Sequence, residues 1–575
     1  MIRVAALSIC SAMLCGLTAT VNVSAADSYV QVFDPRPDGV SAVRYQYWGT
    51  CWDLGGISTF ESYLIKNDLA DTDISLSAED VLWWSCCDPD GGWIKRSRND
   101  GGYAAMLIGY LETVGARSDA DIPYFGEPTD PDDPMNQYYG EGENQRPANY
   151  YTAPVIYDVT DIVFCEDPSM SEIKDLIVKY GAVTASYSDD PECFSAENSA
   201  FWKPADPETE EGNHTVSVVG WDDTFSRTLF KEQNGQLPGR DGAWIIKNSY
   251  GKDYGSDGGY IYISYDDNYL FKTAEYNFIY AVSGARLPVE QKRYYHDEFG
   301  AVYFYPVTDR NKMTWANVYD FGEGEEFSEI SFVTRSEGAM YELCYAPVID
   351  GVPSEDTNEW IMLSSGVVDH SGYSTISVEG NIAVPEGKGA IVLTLTGSDP
   401  DIGTDESRLR YGRPLFNAIV EEGSAFVMEG DSFEPVLLKK GEGNLKYEEA
   451  ADICLRAYTV PARGEDPTDP TDPTDPTKPS DTDGRKADPD DDKGRVDPGE
   501  NDRVDSKGAT NHNGVNSERE SGSGSRHRSK KTSSADTGDA GDQTVWTVLL
   551  ISGAIVAGSA ILIRSGRNTY RKKKD

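Results

Sequence analysis

Cys51 stands where a thiol can become a nucleophile. In Tyr45-Gln46-Tyr47-Trp48-Gly49-Thr50-Cys51-Trp52 it follows a glycine-containing turn, and Leu54, Ile57, Phe60 and Leu64 then recur at three- and four-residue steps, the period of a helix. A thiol in the first turn of a helix faces unpaired backbone N–H groups and the positive end of the helix dipole, and both favour the thiolate. A thiolate that attacks a carbonyl also needs a proton carrier. The chain has five histidines: His214, His296, His370, His512 and His527. The last two lie in a polar tail that holds no fixed geometry, and His296 and His370 lie beyond an expected domain boundary. His214 is the histidine left in the same globular unit as Cys51.

The elements that must bring these two together read as helices first and strands later. Ser77-Ala78-Glu79-Asp80 has capping-box spacing and opens a helix through Val81, Leu82 and Trp84. A second helical run covers Tyr103 to Val114 and stops at Gly115; a third follows the capping box Ser169 to Glu172 and stops at Gly181. The pattern then changes to β-rich runs at Ala182 to Tyr187, His214 to Trp221, Ala243 to Lys247 and Gly259 to Tyr265. This predicts an α+β domain over 27–275, with Cys51 from the helical half and His214 from the strand half meeting in a cleft.

From 276 to 463 helical periodicity is nearly absent. Short runs such as 301–306, 329–334, 340–346, 390–396 and 453–460, separated by Gly, Asp, Ser and Pro, predict an all-β sandwich. His296 and His370 read there as surface or hydrogen-bonded residues rather than ligands. Residues 464–543 repeat Asp-Pro-Thr and then run through Ser, Gly, Asp and Lys, the composition of a disordered stalk.

The ends carry targeting signals. Residues 1–26 read as a secretory signal peptide, with Arg3, an apolar core from Val4 to Leu17, and small residues at Val23-Ser24-Ala25. Residues 544–563 are an apolar run close to the roughly 20 residues that a transmembrane helix needs. The basic tail 564–575 is expected on the cytoplasmic side. Ala535-Asp536-Thr537-Gly538-Asp539 upstream resembles a sortase signal without its Leu-Pro. The expected location is the surface of a Gram-positive bacterium, by membrane anchor or by wall attachment.

Nine cysteines include Cys10 and Cys15 in the leader, leaving an odd number in the exported chain and at least one unpaired thiol. Cys86 and Cys87 read as structural. No CxxC or His/Cys cluster suggests a metal, and no cofactor motif is present. A formal charge of −46 argues against nucleic acid as a partner, because its phosphates would be repelled.

Gln46 with Gly49-Thr50-Cys51-Trp52, Asn213-His214-Thr215-Val216 before Gly220-Trp221, and Trp244-Ile245-Ile246-Lys247-Asn248-Ser249 together resemble a papain-like cysteine peptidase. Leu76 to Asp80 and Gly101-Gly102 support the likeness. The β-rich region that follows is similar to the lectin-like domain accompanying such peptidases on bacterial surfaces. The resemblance implies that Cys51 is the nucleophile and His214 its imidazolium partner and proton donor. It implies that Asn248 orients the ring and that Gln46 donates to the oxyanion together with the Cys51 N–H. It also implies a protein or peptide substrate, with carbohydrate or protein as the ligand class of the sandwich.

The chain departs from the family pattern at several points. Gln46 stands one residue closer to the nucleophile than is usual, and the cysteine that normally pairs near the nucleophile is missing. Asp53 follows Cys51 closely and is expected to oppose a thiolate. Gly55 and Gly56 weaken the start of the helix by roughly 1 kcal/mol each. Tyr250 takes the place of a shielding tryptophan. Two other readings stay open at this point: a binding protein or adhesin that keeps the fold without catalysis, and a hydrolase of peptidoglycan stem peptides.

Overall fold

A computed structural model of the chain describes residues 29–462, apart from 88–100, 125–151, 207–211, 273–277, 306–307, 406–407, 411–412, 417–419, 421–422 and 439–448. The leader 1–26, the stalk 464–543, the apolar run 544–563 and the basic tail 564–575 lie outside the described residues, as do the side chains of Cys86 and Cys87. Among the described residues no helix is long and apolar enough to cross a membrane.

The first domain is built around helix α1 (Cys51–Lys66), whose residues are buried from Cys51 through Leu64. A helix buried on every side needs neighbours that come close all round it, and the two glycines supply that approach. A Cβ on Gly55 would lie 3.0 Å from the Thr215 carbonyl oxygen; one on Gly56 would lie 2.2 Å from both Leu107 Cδ2 and the Tyr280 hydroxyl. Helix propensity alone counts these residues against the helix, whereas packing makes them necessary.

Helix α2 (Ala78–Leu82) is capped by Ser77, whose Oγ accepts the Asp80 N–H at 3.0 Å. The Asp80 carboxylate turns to Tyr110 and Arg117 instead of closing the capping box. Helix α3 (Ala104–Thr113) and helix α4 (Met170–Tyr180) follow. The capping box expected at Ser169 and Glu172 forms in both directions, and Gly181 ends α4.

Opposite α1 lies an antiparallel sheet of β1 (Val155–Cys165), β2 (Val183–Tyr187), β3 (His214–Asp222), β4 (Ala243–Lys247), β5 (Tyr260–Ser264) and β6 (Ile279–Arg286), in the order β1-β6-β2-β3-β4-β5. Four of these strands match the β-rich runs in the sequence. Strand β6 lies past residue 275 yet pairs with β1 and β2. The core of the first domain likewise reaches on to Phe299, Ala301 and Val302.

The following region is all-β, with β7 (Lys312–Phe321), β8 (Glu325–Thr334), β9 (Met340–Ile349), β10 (Ile361–Val367), β11 (Gly372–Ser377), β12 (Gly387–Thr396), β13 (Ala425–Glu429) and β14 (Leu455–Pro461) as its main strands. One sheet runs β14-β8-β11; the other runs β10-β9-β12-β7-β13. Trp315, Ile330, Phe332, Leu343, Ile391, Leu393 and Leu455 fill the space between them, as in a β-sandwich.

The two domains share a sheet. Strand β11 pairs with β1 through Gly372–Val163 and Tyr373–Ile162, so the sandwich sheet runs on into the sheet of the first domain. Gly372 has φ +123°, and a Cβ there would lie 2.0 Å from the Ile162 carbonyl oxygen. The C-terminal end of α3 is held from the sandwich side. Arg456 Nη1 donates to the Glu112 carbonyl at 2.7 Å and Arg293 Nη1 to the Thr113 carbonyl at 3.0 Å, placing cations where a helix presents unpaired carbonyls.

Candidate active site

Cys51 is the first residue of α1, so its thiol sits at the helix N-terminus. His214 is the first residue of β3, the strand whose neighbour Thr215 touches α1 at Gly55. That close approach brings sulfur and imidazole together: the charge of Cys51 acts on the His214 ring, and both residues are buried. The ring's other side is fixed by Asn248, just past the end of β4, whose Oδ1 lies 2.7 Å from His214 Nε2.

The electrostatics favour a charged imidazole despite its setting. Burial acts to lower the His214 pKa, yet the charge and close approach of Cys51, the charge of Asp189 and the hydrogen bond to Asn248 outweigh it and raise the pKa. Burial raises the pKa of the other described cysteines. Burial pushes the Cys165 thiol up to about 12, and burial followed by nearby acids pushes Cys193 and Cys344 up to about 11. Thiols so raised are poor nucleophiles.

Gln46 lies against the same segment as Asn248, held at three points. Its backbone N–H donates to the Ser249 carbonyl at 2.7 Å, its Oε1 accepts from Ser249 Oγ at 2.5 Å, and its Nε2 donates to the Trp48 carbonyl at 3.0 Å. One of the two amide N–H groups is therefore engaged on the turn that precedes Cys51. Beneath this, Lys247 Nζ donates to Ser41 Oγ at 2.5 Å and lies 3.8 Å from Glu61, which is also paired with Arg44. This buried network ties the chain before Gln46 to α1 and to strand β4, which leads into Asn248. Burial lowers the Lys247 pKa to about 8 in spite of Glu61.

One expectation from the sequence changes. Burial works against a negative charge on Asp53. The side chain is wholly buried, with neither carboxylate oxygen hydrogen bonded among the described residues, and burial first, then Glu79, Asp80 and Cys51, hold its pKa well above the usual carboxylate range against the pull of Arg44. The neutral acid is thereby favoured. Tyr250 does cover the histidine: its ring stacks on His214 at 4.5 Å between centroids, with 20° between planes. His296 and His370 are hydrogen bonded to backbone carbonyls, at Val318 (2.8 Å) and Ser371 (3.0 Å), in the second domain.

Two residues beside the site escape the sequence reading. Tyr124 bonds Thr50 Oγ1 at 2.8 Å, bracing the residue before Cys51. Asp189 acts on the His214 ring from two residues beyond the end of β2. Neither belongs to a motif; register and loop path bring them in.

The model of the papain family cysteine proteases matches residues 29–280, and that of the lectin-like domain matches residues 293–459. Among solved structures the chain is similar to the clostridial cysteine protease Cwp84 after propeptide cleavage. The identity is 28% and the TM-score 0.64, over 74% of this chain and 98% of that one. It is also similar to the cysteine protease and lectin-like domains of Cwp84, a surface layer associated protein of Clostridium difficile. There the identity is 27% and the TM-score 0.63, over 75% and 89% of the two chains. No curated protein matches the chain.

Proposed function

Since residues 29–280 are a papain-family cysteine protease domain and residues 293–459 a lectin-like domain, we propose that the chain is a cell-surface endopeptidase. It hydrolyses peptide bonds of extracellular proteins through Cys51, His214 and Asn248. The observation that carries this reading is the convergence of Cys51, at the N-terminus of a buried helix, with a His214 ring that Asn248 holds by a hydrogen bond.

In this mechanism the Cys51 thiolate attacks the substrate carbonyl carbon, and the carbonyl electron pair moves to oxygen. The oxyanion is met by the Cys51 backbone N–H and the remaining N–H of Gln46. His214 then gives its proton to the leaving amine as the C–N bond breaks, which leaves an acyl-enzyme. Water, deprotonated by the now neutral ring, releases the acid and restores the ion pair. Asn248 keeps the ring turned toward sulfur throughout.

The surface location draws support from the surface-layer association of the similar clostridial structure and from the leader and apolar run in the sequence. In this picture residues 464–543 form a stalk and 544–563 a membrane anchor. The lectin-like domain binds a carbohydrate or protein at that surface. Replacing Cys51 with alanine is expected to abolish both peptide hydrolysis and labelling by a thiol-directed epoxide; undiminished hydrolysis would remove the proposal.

A further inference from the structure

We propose that Asp189 is a positioning residue for the active-site imidazole: its carboxylate clamps the two tyrosines that flank the His214 ring and supplies the negative charge that a neutral asparagine lacks. The inference rests on Cys51 and His214 being the reacting pair.

The geometry is a closed clasp. Strand β2 pairs with β3 so that Tyr187 stands directly opposite His214. The Tyr187 ring meets the imidazole edge-on at 5.6 Å, while Tyr250 stacks on it at 4.5 Å. The two phenols converge on one carboxylate: Tyr187 Oη donates to Asp189 Oδ1 at 3.2 Å and Tyr250 Oη to Oδ2 at 2.9 Å. The backbone of Asp189 is tied to the residue just before the histidine. Its N–H donates to Asn213 Oδ1 at 2.7 Å, and Asn213 Nδ2 donates to its carbonyl at 3.0 Å. Displacing Asp189 therefore loosens both aromatic walls of the ring and the start of β3 together.

Charge adds to geometry. The groups facing the ring are Cys51 from α1, Tyr187 and Asp189 from the β2 end, and Asn248 and Tyr250 beyond β4, with Tyr254 next to Tyr250. Lys203 is turned to Ser188 Oγ at 3.0 Å and to Asp190 at 3.5 Å, so it engages the neighbours of Asp189. A carboxylate near an imidazolium in a water-poor site favours the protonated ring, and Asp189 acts on His214 in that sense. This also gives a reason for tyrosine at 250: an indole covers a ring equally well but offers no hydroxyl to hold the carboxylate.

The test is the pH–rate profile of Cys51 alkylation in the full chain, for wild type and Asp189→Asn, by iodoacetate, whose negative charge is drawn to the imidazolium so that the rate falls once the ring loses its proton. Asparagine keeps a hydrogen-bond acceptor and removes the charge, so the ring loses its proton at lower pH. The alkaline limb is expected to move down by roughly one pH unit; a loss of packing alone would lower the amplitude without moving the limb. A limb that coincides with wild type overturns the proposal. If Asp189→Asn does not fold, the Tyr187→Phe/Tyr250→Phe double variant, which releases the carboxylate from the ring, is read the same way. Its limb moves in the same direction, or the proposal fails. Wild type that shows no enhanced alkylation below pH 7 would instead overturn the reading of Cys51 and His214 on which this one stands.

Discussion

Asn248 Oδ1 lies 2.7 Å from His214 Nε2 and accepts the Ser249 N–H at the same distance. The asparagine thus reads its own backbone and the ring at once, which fixes the tautomer with hydrogen on Nε2 and leaves the other nitrogen to the sulfur. Asn248→Ala releases the ring. Losing a buried hydrogen bond of this kind costs about 1–3 kcal/mol, so kcat/KM for a peptide substrate is expected to fall roughly 5- to 150-fold, with KM little changed. Steady-state kinetics on the purified variant would check this, and wild-type kcat would refute it.

Gln46 separates two functions of the site. If its remaining amide N–H meets the oxyanion, Gln46→Ala removes about 2.7–4 kcal/mol from the chemical step. Alkylation of Cys51 forms no oxyanion and is expected to proceed at close to the wild-type rate. A parallel loss of both activities would mean that Gln46 acts through its contacts with Ser249 and Trp48 alone.

At Gly56, helix propensity and packing predict opposite signs. Alanine improves an exposed helix by roughly 1 kcal/mol, but here its methyl group meets Leu107 and the Tyr280 hydroxyl at 2.2 Å. Overpacking of that kind destabilises by about 1–3 kcal/mol. Gly56→Ala is therefore expected to lower the denaturation midpoint, and a rise in the midpoint would show that α1 can move away from the sheet.

Glu112, at the junction of the two domains, makes stability depend on pH. Burial first, and Asp297 in addition, push its pKa up to about 8 against Arg456, and its carboxylate oxygens have no hydrogen-bond partner among the described residues. A carboxyl raised in this way holds a proton in the folded state that the unfolded chain releases at its ordinary pKa of about 4.3. Its contribution is complete below that value and is lost as pH rises to about 8. Glu112→Gln is expected to flatten the fall in stability over this window and to be more stable than wild type above it. Urea denaturation at several pH values measures the slope; identical slopes would mean that Glu112 ionises without penalty.

Arg456 should matter to both domains. Its guanidinium donates to Asp297 Oδ2 at 2.9 Å and to the end of α3. Arg456→Met leaves Asp297 buried and uncompensated, a change of about 3–5 kcal/mol. Probes in the first domain and in the sandwich are expected to report one common, lowered transition, and separate transitions would count against the shared core.

Much of the site was legible along the chain. Cys51 before a helical period, the elimination of the other histidines and the motif around Asn248 are local facts, written in residue types and short spacings. The strands that carry His214 and Asn248 were equally visible, because β-branched and aromatic runs bounded by turns depend on near neighbours. What tertiary structure alone decided is what neighbours do to charge and to space. Asp53 looks like a charge until burial favours its neutral form, and Gly55 and Gly56 look like defects until β3 and Tyr280 press on them. The same holds for Asp189, which reaches His214 only through the register of β2 on β3, and for the sheet that continues from β1 into β11. Desolvation, steric approach and strand pairing are set by residues far apart in sequence, so no spacing rule within one segment carries them.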